Sequence, residues 1–197
     1  MNFPIIKLTN NTSLERFIQF WSNFYIDPKE KRYTKIIERE KSYGKSIAKD
    51  TLTAKDIMIL YEWKNGGKFS KAKAQIVESI IAKIKVVNEL KTSFSQDNFN
   101  KEFAFMRGVI WKIFLLHIIK QNRFPIFDQN VCRSYYFLVE GKRKEIPYAN
   151  AKKEKFYFDS YISFFNKLSG KGINRKEIDE ALWAFGKFLK SLYGKKI

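Results

Sequence analysis

The sequence predicts an all-α protein, on three observations. Helix-breaking punctuation is sparse, with nine glycines and four prolines in 197 residues. Apolar residues recur three and four positions apart along most of the chain, the spacing of one helix face. No stretch alternates apolar and polar residues with the period of two that a half-buried strand requires.

The elements follow in order. Thr12 and Glu15 form a capping-box pattern, and Leu14, Phe17, Ile18 and Trp21 continue at helical spacing. A second helix is expected after Pro28, running through Ile36 and Ile37. Thr53 with Asp56 caps a third, which carries Ile57, Ile59, Leu60 and Trp63 and stops at Asn65-Gly66-Gly67. Ser70 opens one long helix bearing Val77, Ile80, Ile81, Ile84 and Leu90. Phe103, Phe105 and Met106 predict a short helix halted at Gly108. From Lys112 to Lys120 the chain has almost no polar face, so this helix is buried. Pro125 interrupts, and a new helix follows Asp128. Phe158, Tyr161, Ile162, Phe165 and Leu168 form one apolar stripe. Asn174 with Glu177 caps the last helix, which carries Ile178, Leu182, Trp183, Phe185, Leu189 and Leu192 and ends near Gly194. Gly141 to Lys155, with Lys142, Arg143, Lys144, Lys152, Lys153 and Lys155, reads as a basic loop or a patch that orders on binding.

Composition narrows the function. An apolar fraction of 45% with 17% aromatics supplies a core and excludes a disordered chain. The formal net charge of +18 is far beyond what solubility needs. It points to a polyanionic partner, either nucleic acid or an anionic membrane. One cysteine excludes a disulfide framework and a four-cysteine cluster, and one histidine excludes a multi-histidine metal site. No metal and no cofactor are expected. No apolar run approaches the roughly 18 residues of a membrane span. The start, MNFPIIKLTN, is not a signal peptide. A cytoplasmic, nucleoid-associated monomer is the expectation. A membrane-surface role would need an amphipathic helix with a lysine-rich face, and none stands out.

One segment carries chemistry. Arg107-Gly108-Val109-Ile110-Trp111-Lys112 leads into the apolar helix, and Phe124-Pro125-Ile126-Phe127-Asp128-Gln129-Asn130-Val131-Cys132-Arg133 follows it. A turn sets a lysine at a helix start, and a proline-stiffened loop delivers an aspartate to the next helix start. The sixteen-residue separation of Lys112 and Asp128 fits a helix out and a turn back. A lysine and a carboxylate so placed in a basic helical protein suit nucleophilic or acid–base work on nucleic acid.

This segment resembles the helix-hairpin-helix DNA glycosylases, which include endonuclease III and the adenine and 8-oxoguanine glycosylases. Gly108, Val109 and Lys112 match the first glycine, the valine and the lysine of a G-V-G-x-K hairpin. The run from Phe124 to Arg133 is similar to the aspartate loop of the adenine glycosylases, F-P-I-x-D-x-N-V-x-R. The whole also resembles a bacterial group of 8-oxoguanine glycosylase-like proteins. The likeness covers about positions 105 to 134. Ile110 replaces the second hairpin glycine, the lysine-to-aspartate spacing is slightly short, and the four-cysteine cluster of several members is absent.

The resemblance implies a two-lobed helical bundle within one compact domain, 1–197. One lobe would be the middle of the chain, 51–125, and the other the two ends, 1–50 plus 126–197. It implies a DNA N-glycosylase that flips a damaged or modified base out of double-stranded DNA. Asp128 would stabilise the cationic sugar. Lys112, if burial lowers its pKa, would add Schiff-base lyase activity at the abasic site. Gly108, Trp111, Lys142, Arg143 and Lys144 are the expected DNA contacts, and Asn130 and Arg133, on the helix after Asp128, would either contact DNA phosphate or orient the aspartate. Base excision repair and defence against modified phage DNA are equally compatible.

Each residue also has a plainer reading. Asp128 serves as a helix N-cap in either case. Lys112 is one of 38 basic residues and can be a solvated or phosphate-bound charge. Trp111 is a wedge or a packing residue, His117 is a core histidine with one hydrogen bond, and Cys132 is a small buried hydrophobe. Trp63 to Gly67 reads as a C-cap. The rival to an enzyme is a non-catalytic DNA-binding protein that keeps the fold, motivated by Ile110.

Overall fold

The structure, a computed structural model, describes residues 11–170 and 172–193, with side chains for 13–170 and 172–191. Among them every regular element is helical. They are α1 Asn11–Ser22, α2 Tyr33–Ile47, α3 Ala54–Asn65, α4 Lys71–Ala82, α5 Ile84–Thr92, α6 Gln96–Glu102, α7 Val109–Ile119 and α8 Gln129–Glu140. Then come α9 Asn150–Phe156, a π-helical turn Tyr157–Tyr161, α10 Ile162–Ser169 and α11 Arg175–Tyr193. No helix among the described residues is long and apolar enough to cross a membrane.

The chain divides into two compact units, one comprising 28–124 and the other 1–27 with 125–197. The first boundary therefore falls before α2, not at residue 50. The cause is that α2 belongs to the core of the middle unit. Tyr43 of α2 stacks on Trp63 of α3 with ring centroids 4.0 Å apart. Trp63 Nε1 donates to Glu40 Oε1 at 2.6 Å, and Arg39 donates to the Gly66 carbonyl at 2.7 Å.

Local signals place α3 well. Thr53 and Asp56 make a full capping box, and Gly66 ends the helix at φ 73°, a left-handed conformation that a side chain disfavours. The Asp56 carboxylate also accepts from Lys49 at 2.6 Å and from the Thr53 hydroxyl at 2.7 Å. Burial pushes the Asp56 carboxyl up. The bonds from Lys49, Thr53 and Ser46 together outweigh it and hold the group well below the usual range.

Several expectations change. Ser70 caps α4 by position without a side-chain bond, and the expected long helix breaks at Lys83, whose φ −104° and ψ 24° leave the helical region. Lys83 Nζ is held by Glu102 at 2.7 Å, a contact from another helix. The short helix expected at Phe103 to Met106 lies earlier, as α6, with Phe103 as its C-cap. The Thr12 side chain and Gly194 lie outside the described residues. Asn174 accepts from the Lys176 N–H at 2.8 Å and so caps α11.

In the middle unit α7 is the buried centre, with Ile113, Phe114, Leu115, Leu116, Ile118 and Ile119 all buried. In the other unit α11 lies against α8 and α1. Phe185 of α11 sits 5.3 Å from Phe17, 5.0 Å from Trp21 and 5.5 Å from Phe137, by ring centroids.

Candidate active site

Asp128 is the N-cap of α8. Its Oδ1 accepts from Asn130 N at 2.8 Å and Val131 N at 3.2 Å. The residue is half-buried at the positive end of a helix, where a carboxylate is stabilised. The loop before it is fixed at two points. Tyr157 donates its hydroxyl to the Pro125 carbonyl at 2.9 Å. The buried Phe127 ring lies 5.3 Å from Tyr157 and 5.2 Å from Tyr161, by ring centroids. The sequence placed the loop but not the two tyrosines that hold it.

Arg133 and Asn130 have internal partners. Arg133 is only 5% exposed. Its Nε donates to both Glu145 oxygens, at 2.9 and 3.1 Å, and Nη2 donates to Glu145 Oε2 at 2.8 Å. Nη1 donates to Asn130 Oδ1 at 2.7 Å. The expected phosphate ligand is thus a buried brace across the first turns of α8. Glu145 also accepts from Gln129 and, at 3.0 Å, from Arg143. The Arg133 bond holds the Glu145 carboxyl below its ordinary value, against the opposing effect of burial, with Arg143 helping. Glu145 carried no signal in the sequence except as one of two glutamates inside a basic run.

The basic segment is partly ordered. Lys152, Lys153 and Lys155 lie on α9, not in a loop. Lys144 pairs with Glu140, and Lys155 pairs with Asp159 at 2.5 Å. Lys142 and Lys152 are exposed, and Tyr148 at the end of the loop is 99% exposed.

In the middle unit, α6, the turn 103–108 and α7 make a helix–turn–helix. Gly108 is the N-cap of α7 at φ −84°, a value open to any residue, and an added Cβ there would meet nothing within 4 Å. Trp111 packs edge-on against Phe69 at 5.9 Å, at a tilt to Tyr61 at 5.0 Å, and under the Lys73 ammonium at 5.3 Å. Its carbonyl accepts from the Tyr61 hydroxyl at 3.1 Å, so packing is the reading the geometry favours. Lys112 is half-buried in the first turn of α7, with its ammonium 5.9 Å from the Phe99 ring centroid. Lys112 lies in the middle unit and Asp128 in the unit of the chain ends.

His117 is a core histidine with two ring-nitrogen hydrogen bonds rather than one. Tyr43 Oη and the Phe124 carbonyl each lie 2.8 Å away. Cys132 is fully buried, and burial, with Glu145 adding, pushes its thiol up to about 12. It is therefore a poor nucleophile at neutral pH. No group of three histidine, cysteine, aspartate or glutamate residues among those described could hold a metal ion.

A cleft of about 540 Å³ in the middle unit is lined by Asp50, Lys91, Lys120 and Arg123 among others. It is not an open anion site. Lys91 donates to the Ile118 carbonyl at 3.3 Å, and Lys120 donates to the Lys91 carbonyl, so each lysine caps the C-terminal end of the other's helix.

Comparison with protein-family models, with curated proteins and with solved structures finds no match to this chain.

Proposed function

We propose that the protein is a DNA N-glycosylase that excises a damaged or modified base from a duplex. The observation that carries this reading is the placement of Asp128. A stiff, doubly anchored loop delivers one carboxylate to a helix start, within a run resembling the aspartate loop of the adenine glycosylases. The net charge of +18 supports a polyanionic partner.

In this reading the target nucleotide leaves the stack, and Asp128 stabilises positive charge on the sugar as the C1′–N bond breaks. The base departs with the bonding electrons and takes up a proton. Lys112 supplies its amine lone pair to C1′, losing a proton as the C–N bond forms. The C1′–O4′ bond then breaks as O4′ takes up a proton, which leaves a protonated Schiff base at C1′; loss of a C2′ proton to this electron sink expels the 3′ phosphate. Arg133 and Asn130 act indirectly, by bracing the helix turn that Asp128 caps.

The test is a panel of duplexes, each carrying one modified base, incubated with the full chain and with Asp128→Asn. Excision by the first and a loss of orders of magnitude in the second supports the reading. The variant keeps the shape of the cap, so its stability changes by about 1 kcal/mol. Ile110 favours a second reading, a DNA-binding protein without excision. Salt-dependent duplex binding with no base released from any member of the panel identifies that case.

A further inference from the structure

The segment between α8 and α9 is held on both sides of its tip. The Glu145 carboxylate accepts from Arg133 Nη2 at 2.8 Å and from Gln129, both in the first two turns of α8. Pro147 then sets its own φ and confines Ile146 to extended backbone. Ala149 is the N-cap of α9, extended at φ −69° and ψ 133°. Tyr148 stands between these anchors and is 99% exposed.

A single exposed apolar residue is ordinary on a protein surface. Three observations set Tyr148 apart. Its exposure far exceeds that of Phe20 and Phe24, at 55%, and those two rings still pack on each other with centroids 5.0 Å apart. It precedes a helix cap, where an apolar residue often folds back on the fourth helical residue. Here that residue is Lys153, whose ammonium turns to the Asn150 side chain at 3.3 Å. The surroundings are cationic: Lys142, Arg143 and Lys144 precede the ring, and Lys152, Lys153 and Lys155 follow it. Of the two acids in this run, Glu145 is neutralised by Arg133 and Arg143. A membrane surface would be met by an apolar face of several residues, whereas Tyr148 is the one exposed large apolar side chain among the described residues of 141–155. A lone ring framed by cations suits a ligand that pairs a planar face with phosphates.

We propose that Tyr148 stacks on an unpaired base of DNA while the flanking lysines hold the adjoining phosphates. Inside an intact duplex both faces of every base are already stacked, so the ring finds a partner only where a base is bulged or displaced. The Glu145 clamp ties the ring to the end of α8 that Asp128 caps, because Tyr148 follows Glu145 by three residues and three residues span at most about 11 Å. The stacking rests on a nucleic-acid partner and not on base excision.

The test measures the affinity of the full chain, at fixed salt, for three fluorescent probes: a fully paired duplex, the same duplex with a bulge of thymidines, and one whose bulge is built of abasic units. The wild-type chain should bind the thymidine bulge more tightly than the other two, by about fivefold or more. Tyr148→Ala should abolish that preference and leave affinity for the paired and abasic probes unchanged. Tyr148→Phe keeps the ring and should keep the preference. Both variants should melt with the wild-type chain, since the side chain is exposed. Lys142→Ala combined with Lys152→Ala should instead weaken binding to all three probes alike. A preference that survives in Tyr148→Ala, or that the wild-type chain lacks, overturns the proposal. So does a Tyr148→Ala effect confined to phosphatidylserine vesicles, which would make the face a membrane contact. A ring-dependent preference with no base released from any modified duplex upholds the stacking role while overturning the glycosylase reading, and excision without the preference does the reverse.

Discussion

Gly186 of α11 lies directly against the backbone of Asn130 in the first turn of α8. A Cβ added to Gly186 would stand 2.0 Å from the Asn130 carbonyl oxygen and 2.8 Å from its Cα. This close approach seats α11 on the turn that Asp128 caps. Core packing and the candidate site thus share one contact.

Gly186→Ala is expected to destabilise the protein. Alanine gains about 1 kcal/mol of helix propensity. The obstructing atoms, however, are backbone and cannot rotate away, so overpacking at the upper end of the usual ~1–3 kcal/mol dominates. Chemical denaturation should show a net loss of about 2 kcal/mol. The Asn130 and Val131 amide resonances should shift with it. An alanine variant of wild-type stability would mean that α11 and α8 separate easily.

Acid stability should depend on Asp56. Its carboxyl is held below the ordinary value of 3.8 in the folded state. A depressed folded value means that the stabilisation is complete above the unfolded value and is lost as the pH falls below it towards the folded value. Glu145 contributes in the same direction below its ordinary 4.5, weakened by solvent screening because its side chain is 49% exposed. Asp56→Asn should therefore lower stability at pH 7 by about 2–3 kcal/mol, since hydrogen bonds to a charged group are removed. It should also flatten the decline of melting temperature between about pH 5 and 2, the window in which a paired carboxylate gives up its contribution. An unchanged acid profile would assign that decline to other groups.

Asp56, Thr53 and Gly66 were legible in the sequence because a cap is decided within four residues. The α7 core was legible because a helix without a polar face has only one place to go. The break at Lys83 was not, since neither glycine nor proline marks it and a glutamate on α6 holds the lysine. The π turn was not, because its extra residue is set by packing against the aspartate loop. Within the candidate site, Asp128 was found by its motif and its capping position. The burial of Arg133 was hidden, because a cation in a basic chain reads as a surface charge until its acid partner is seen. Gly186 carried no signal in the sequence, and only its neighbour on α8 gives it a role.

The basic loop and the Arg133 brace should separate in experiment. Surface pairs such as Lys144–Glu140 contribute little to stability and can exchange for phosphate. Replacing Lys142, Arg143 and Lys144 by alanine should weaken duplex binding for all sequences. The slope of log affinity against log salt should flatten by about 1 for each phosphate that is no longer neutralised. Arg133→Ala should instead lower stability by about 1–3 kcal/mol, through loss of the charge-assisted bonds that the buried guanidinium makes to Glu145 and Asn130. An unchanged slope in the triple variant would place the DNA on another face.

In the proposed glycosylase, Lys112 would decide whether excision proceeds to strand cleavage. Its backbone N–H donates to the Gly108 carbonyl at 3.0 Å, which fixes it in the first turn of α7. Its ammonium sits 5.9 Å from the Phe99 ring. Attack on a sugar carbon requires the neutral amine. Borohydride should therefore trap a protein–DNA adduct on a substrate duplex, with a yield that rises with pH. Lys112→Gln should abolish the adduct while base release through water continues. Base release with no adduct at any pH would make the enzyme monofunctional and reduce Lys112 to a phosphate or packing contact.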